Sequence, residues 1–592
     1  MTSHPPLESL EQLLERLHTY YRASKPAQTA SDSTSEQALI YGTALLRRRR
    51  LRLSGWRIPT QLVVIGPTQS GKSTLVNLLL GIEAAEASPL AGHTRYPQGF
   101  TTCGKVEAIR EELTELLPGW THVSSGENNR NRADIFSLND LDDRGNRLSD
   151  QSTIWDSPDF DSVNSREYGD MVPVICAMAD ILILAVSREK YADQSVWRLL
   201  NLIAPVKTPL IICLNKTSGP EAEQLLVSMR HRLEEASIPY TALLTLPYVA
   251  DVQQTLWETG AADMIRTRIS GLLDHAGFDV GDSHLASLLN RHWAEWIRPV
   301  RQEHAAAEKW QNLVDEELGQ FVELYQQDYL NNPDYADTMQ RAIVELLELL
   351  EIPGIAGALI QMRKVLTWPA RKAHDVYRKK FPGSKPGGKG HEVKVIEEGS
   401  THLLARLRQQ ISGQITGETR VTIAWWSNLD LRLKQDCNDI ETALFSELNT
   451  YQTEFDEQIK RAGRLLFEHL KQHPVTLNSL RVARTTTDAI ALLVAIKTGG
   501  FGLSDLLLAP AMLSFSSLLA EGAAGHYMTQ VEKDLKNAQL AAVTDRLAFG
   551  ILRKRLLELP ALMSQEGCCA VSTQWLADAE SQLAMLKGPR AC

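Results

Sequence analysis

This 592-residue sequence predicts an α/β domain with a doubly wound, mostly parallel sheet, joined to an all-α helical bundle or stalk. Three observations carry that expectation. A β-branched apolar run, a glycine-rich loop and a helix follow one another between Gln61 and Gly81. From residue 60 to about 278, strand-like runs alternate with helical stretches, the pattern of a parallel sheet covered by helices. After about 283 the strands stop, and apolar residues recur at helical spacing.

The chain is too long for a single core. Its boundaries fall into N-terminal helices (1–58) packing with the helical region, an α/β domain (59–280), and a helical bundle (281–592) with an apolar hairpin at 488–528. Hydrophobic content of 43% and charged content of 23% are those of a globular protein. A formal net charge of -10 argues against nucleic acid as the main partner. Seven scattered cysteines give neither a disulfide frame nor a zinc site, which fits a reducing compartment. Met1 to Tyr21 carries Glu8, Glu11 and Glu15 among its leucines, so it reads as an amphipathic helix rather than a signal peptide. The expected location is the cytoplasm.

The second N-terminal helix ends in Arg47-Arg48-Arg49-Arg50-Leu51-Arg52, read as a solvated helix end, with a lipid or nucleic-acid contact as the alternative. The first strand is Gln61 to Ile65, and the loop after it is Gly66-Pro67-Thr68-Gln69-Ser70-Gly71-Lys72-Ser73. Gly66 and Gly71 let backbone N–H groups turn towards one point, at the positive end of the helix that begins near Thr74. Lys72 would reach the β- and γ-phosphates of a nucleoside triphosphate, and the Ser73 hydroxyl would ligate Mg²⁺. Further strands are expected at Lys105 to Ile109, Thr153 to Trp155, Ile181 to Val186, Leu210 to Leu214 and Ala242 to Leu246.

Thr94 lies in a Gly/Pro-rich loop after the first helix, placed to sense Mg²⁺ and the γ-phosphate. Asp156 closes the run Thr153-Ile154-Trp155, where a carboxylate can hold Mg²⁺ through water. Leu210 to Leu214 runs into Asn215-Lys216-Thr217-Ser218. Four such motifs in this order are more specific than the loop alone.

Together they resemble the Ras-like P-loop GTPases, and most nearly the bacterial dynamin-like proteins. The family's first switch often reads Thr-Arg-x-Pro, here Thr94-Arg95-Tyr96-Pro97. Its second, Asp-x-Pro-Gly, is matched by Asp156-Ser157-Pro158, with Asp159 in place of glycine. The base-reading Asn/Thr-Lys-x-Asp is matched by Asn215-Lys216, with Ser218 in place of aspartate. The likeness covers 60 to about 278 by motif and the remainder by architecture. It implies GTP as nucleotide and Mg²⁺ as cofactor. ATP stays open, because Ser218 cannot offer guanine a bidentate acceptor. Phe160 stands where such enzymes place a water-orienting glutamine. The resemblance therefore puts Gln69, Lys72 and Thr94 in the catalytic roles and points to slow hydrolysis raised by self-association.

Pro299 is expected to kink the first long helix, and Pro382 to Gly390 reads as a linker. Asp488 to Met528 is an apolar hairpin with a glycine-rich tip, either bundle core or a segment dipping into one leaflet. Ile352 to Ile360 is apolar and runs into a basic, Trp-bearing stretch ending at Lys389, a composition that suits an anionic membrane surface or a solvated helix end. The resulting functional expectation is a Mg²⁺-dependent dynamin-like GTPase. Its nucleotide state would be coupled to homo-oligomerisation and peripheral contact with the inner membrane. Two other readings stay open: a soluble switch docking a protein partner, and a degenerate nucleotide-binding module with little turnover.

Overall fold

A computed structural model describes residues 7–23, 30–56, 58–86, 94–101, 106–124, 134–141, 152–161, 170–217, 220–247, 260–273, 281–331, 336–349, 391–416, 419–472, 524–563 and 569–586. The chain forms two compact units, residues 1–301 with 566–592, and residues 302–565.

In the first unit the strands are β1 (Thr60–Ile65), β2 (Gln98–Thr101), β3 (Thr121–His122), β4 (Ile135–Asp140), β5 (Ser152–Asp156), β6 (Ile181–Ser187), β7 (Leu210–Thr217) and β8 (Ala242–Pro247). They form one sheet in the order β3-β4-β2-β5-β1-β6-β7-β8. All neighbours run parallel except β2 against β5. Strand alternation divides the core between two faces. On one, Val63, Ile65, Leu182, Leu184, Ile212 and Leu214 are buried in a large cluster with helices. On the other, Leu62, Val64, Ile183 and Ile211 pack with Leu75, Val76 and Leu79 of the helix after β1 and with Ile265 and Ile269.

The first helices are α1 (Glu8–Ala23), α2 (Ala30–Leu53), α3 (Lys72–Leu80), α4 (Val106–Leu116), α5 (Met171–Met178), α6 (Gln194–Ile203), α7 (Pro220–Glu235) and α8 (Gly260–Leu273). The expected strand at Lys105 to Ile109 is corrected: from Val106 the chain is α4, and Lys105 lies outside the described residues. Its buried residues Ile109, Leu113 and Leu116 are spaced by four and three, a helical stripe that extends beyond the short window read as strand. β2 and β4 were absent from the expectation. Their sequences, Gln-Gly-Phe-Thr and Ile-Phe-Ser-Leu-Asn-Asp, are too short or too mixed to stand out.

The N-terminal helices, expected with the helical region, also cover the sheet: α2 packs on α5, α4 and α6. The arginine run that closes α2 is a set of internal ion pairs, which overturns both the solvated and the lipid or nucleic-acid readings. Arg47 donates to Glu11 at 2.8 Å, to Glu15 and to the Leu116 carbonyl. Buried Arg48 bonds the carbonyls of Ala177 and Ala179 and the carboxylate of Asp180. Arg49 reaches Asp282, Arg50 reaches Glu11, and Arg52 reaches Asp180.

Two further helices of this unit are α9 (Asp282–Trp296) and, near the C-terminus, a helix at Thr573–Met585 that packs on α1 and α9. Pro299 stands at the second position of the helix that follows α9, where its missing N–H costs least. The Tyr21 hydroxyl donates to the carbonyls of Glu295 and Trp296, the groups left over at that break.

In the second unit the described residues are helical. They include α10 (Arg298–Tyr325, within the unit from Gln302), α11 (Ala336–Leu349), α12 (His391–Ile415), α13 (Arg420–Lys471), α14 (Ala524–Ala542) and α15 (Lys554–Leu562). At 52 residues, α13 is about 78 Å long, and α11, α12 and α14 pack along it. Glu392, in the first turn of α12, accepts hydrogen bonds from Tyr325, Tyr451, Gln452 and Gln539. Residues 488–523 of the apolar hairpin, the stretch 352–389 and the linker 382–390 lie outside the described residues, and residues 524–528 belong to α14. Among the described residues, no helix is long and apolar enough to cross a membrane.

Candidate functional site

β1, β5, β6 and β7 are neighbouring parallel strands, so their C-terminal ends, and the loops that leave them, line one sheet edge. Val64 stands opposite Asp156 and Ser187 opposite Asn215. That edge of an α/β sheet is where ligands bind.

The loop from Gly66 to Ser73 has the backbone shape its glycines suggest. A Cβ on Gly66 would lie 2.3 Å from the Ala185 carbonyl oxygen and 2.5 Å from Ser70 Oγ. Gly71 has φ 90°, and a Cβ there would lie 2.2 Å from Asn215 Nδ2. No other residue fits either place without movement. Pro67 and Ser70 close a turn through the Ser70 N–H to Pro67 carbonyl bond, and α3 starts at Lys72 with Thr74 in its first turn. The buried Lys72 ammonium donates to the Pro67 carbonyl at 3.2 Å and pairs with Asp159.

Three of the expected residues converge beside it. Ser73 Oγ donates to Asp156 Oδ2 at 2.6 Å, and Thr94 Oγ1 donates to the same oxygen at 3.3 Å. The second oxygen, Asp156 Oδ1, is buried without a partner. Burial pushes the Asp156 carboxyl above its usual range, against the opposing pull of the Lys72 charge and the two hydroxyls. Two hydroxyls and a carboxylate with an unused buried oxygen form the all-oxygen donor set that a hard divalent cation takes, so the residues fit Mg²⁺. A cation there would also restore the ionised carboxylate.

Asn215 and Lys216 meet the loop from the other side. Asn215 Nδ2 donates to the Ser70 carbonyl at 2.8 Å while its Oδ1 accepts from the Lys216 N–H. Lys216, at φ 59°, sends its ammonium to the Gln69 carbonyl at 2.9 Å. The pair thus braces the loop backbone. Gln69 itself is at φ 59° with an exposed side chain. Ser218 lies outside the described residues, and the nearby carboxylate of Glu221 is exposed and paired with Arg188. Half-buried Phe160 packs on the hydrophobic core.

Asp161 and Lys190 went unnoticed in the sequence. Asp161 Oδ1 accepts from both the N–H and the hydroxyl of Thr68, at 2.5 and 2.6 Å, and Oδ2 accepts from Lys190 at 2.9 Å. Burial raises this carboxyl, but the bonds from Thr68 and Lys190 outweigh it and hold the group below its usual range. The only sequence signal was a third aspartate in Asp156-Ser-Pro-Asp-Phe-Asp161. Lys190 belongs to no motif.

Residues 61–216 match the family model described as 50S ribosome-binding GTPase. No curated protein sequence matches the chain. Among solved structures, one of an oligomerised bacterial dynamin pair is 12% identical and covers 98% of this chain and 94% of that one, with a TM-score of 0.29. LeoA, a bacterial dynamin GTPase from ETEC, is 12% identical over 94% of this chain and 97% of its own, with a TM-score of 0.24. Era in complex with MgGDPNP and 16S ribosomal RNA nucleotides is 16% identical over 36% of this chain, with a TM-score of 0.23. This last match spans 56% of Era's own length. None of these scores reaches the level at which a structural likeness carries weight. The matched segment, 61–216, and the sheet it builds have the layout of a P-loop GTPase domain.

Proposed function

We propose that this chain binds Mg²⁺·GTP at the Gly66–Ser73 loop and hydrolyses it slowly. The observation that carries the reading is the meeting of Ser73 and Thr94 on one oxygen of Asp156, beside the buried Lys72. Lys72 would bond the β- and γ-phosphates, and Ser73, Thr94 and Asp156 would hold the metal, which supplies charge neutralisation for phosphoryl transfer. Thr94 comes from a loop after α3 and not from the sheet, so its place on Asp156 would follow the γ-phosphate. Asn215 and Lys216 keep the loop in register beneath the nucleotide. GTP is preferred over ATP because the matched family is one of GTPases. The exposed Gln69 side chain remains the proposed helper of the attacking water. Phosphate release from GTP by wild type and Lys72→Ala, each with Mg²⁺ and with EDTA, tests this. The variant and the chelated enzyme should both fall to background; equal rates in all four samples would end the proposal.

The finer proposal is that nucleotide state governs self-association of the helical half and its contact with an anionic membrane surface, as in dynamin-like proteins. Support comes from the apolar sequence 488–528 and the apolar-then-basic sequence 352–389. Co-sedimentation with anionic liposomes, with and without GTP, separates this from a soluble switch. Retention in the supernatant under every condition would leave the soluble switch.

A further inference from the structure

Lys72 is 5% exposed, and the carboxylate against its ammonium belongs to Asp159, itself 10% exposed. Lys72 also donates to the Pro67 carbonyl, which carries no formal charge. Asp159 is delivered by the segment leaving β5, three residues after Asp156, so the same turn supplies the metal-side carboxylate and this second one. The P-loop lysine ordinarily spends its donors on the terminal phosphates.

We propose that Asp159 is an internal anion that competes with the nucleotide's terminal phosphates for Lys72, so that tight binding requires its carboxylate to swing away. The inference rests on the reading of Gly66–Ser73 as a triphosphate site. Two anions cannot share one buried ammonium without strong mutual repulsion in a poorly screened place. Displacement of Asp159 therefore opposes binding, and it ties nucleotide arrival to movement of the segment after β5. Asp161, in that segment, holds the loop at Thr68. Movement at Asp159 would thus be felt two residues on, at a contact with the loop itself. A serviceable Lys72 partner inside the protein also keeps the site neutralised before nucleotide arrives.

The test compares wild type, Asp159→Asn and Asp159→Gly, with Lys72→Ala as the control on the site itself. Affinity for a non-hydrolysable GTP analogue with Mg²⁺ is measured by calorimetry, and thermal stability is measured without nucleotide. Both Asp159 variants should bind the analogue about tenfold or more tightly than wild type. Both should also melt earlier without nucleotide, because Lys72 has lost its counter-ion. The glycine variant carries the test if the asparagine variant fails to fold. Affinity within about twofold of wild type, or weaker, overturns the proposal. So does tighter binding with an unchanged melting temperature, which would mean simple repulsion of the nucleotide without any hold on Lys72. If Lys72→Ala binds the analogue as wild type does, the triphosphate site itself has failed instead.

Discussion

Around the sheet a buried carboxylate meets cations: Asp159 meets Lys72, Asp180 meets Arg48 and Arg52, and Glu11 meets Arg47 and Arg50. Asp161 meets Lys190. Glu392, in the helical unit, gathers the hydroxyls of Tyr325 and Tyr451 and the side-chain amides of Gln452 and Gln539. Burial is the largest influence on both Asp161 and Glu392, yet their carboxyls move in opposite directions. A lysine plus two bonds from one threonine overcomes burial at Asp161. Neutral donors, with Arg341 adding a weaker pull, do not overcome it at Glu392. Whether a buried carboxyl ends above or below its usual range depends on how its hydrogen bonds and nearby charges together weigh against burial.

Removing a cation should cost the most. Arg48→Ala leaves Asp180 buried with less compensation and strands two carbonyls, which should cost about 3–5 kcal/mol in chemical denaturation of the sheet-bearing unit. Glu392→Ala, which strips four donors of their acceptor, should cost less, about 1–3 kcal/mol. With its folded pKa above the ordinary unfolded value of about 4.3, Glu392 contributes fully below that value and loses its contribution as pH rises through the folded one. Glu392→Gln should remove this alkaline-side loss, seen as a flatter urea midpoint against pH.

Asp161 carries the opposite sign. Its folded pKa is depressed, so its contribution is present above about 3.9 and is lost as pH falls through the folded value. Asp161→Asn should therefore lower the melting temperature at neutral pH and flatten its decline in acid. The smallest effect belongs to the exposed pair Arg188–Glu221. Arg188→Ala should change stability by no more than about 0.5 kcal/mol by the same denaturation assay.

What could be read from the sequence was whatever is encoded locally. The loop from Gly66 to Ser73 is legible because glycine, lysine and serine are each demanded by geometry within eight positions. Thr94 and Asp156 were legible because strand and loop order places them, and they do meet on one oxygen. The arginine run was misread because its partners lie far along the chain, from Glu11 to Asp282. Asp161 and Lys190 were missed for the same reason: a carboxylate's partner is a fact of packing. The short strands β2 and β4 escaped because their pairing, and not their composition, makes them strands.

One feature of the first unit reaches beyond its energetics. The Leu10 N–H donates to Gln582, Trp575 donates to the Ser9 carbonyl, and Arg16 donates to the Cys569 carbonyl. α1 is thus completed by a helix made only after residues 302–565. At about 5–20 residues per second, that intervening stretch takes roughly 13–50 s to synthesise. Through that interval α1 lacks the packing of the C-terminal helix, so an unfinished chain carries an apolar helix face without part of its cover.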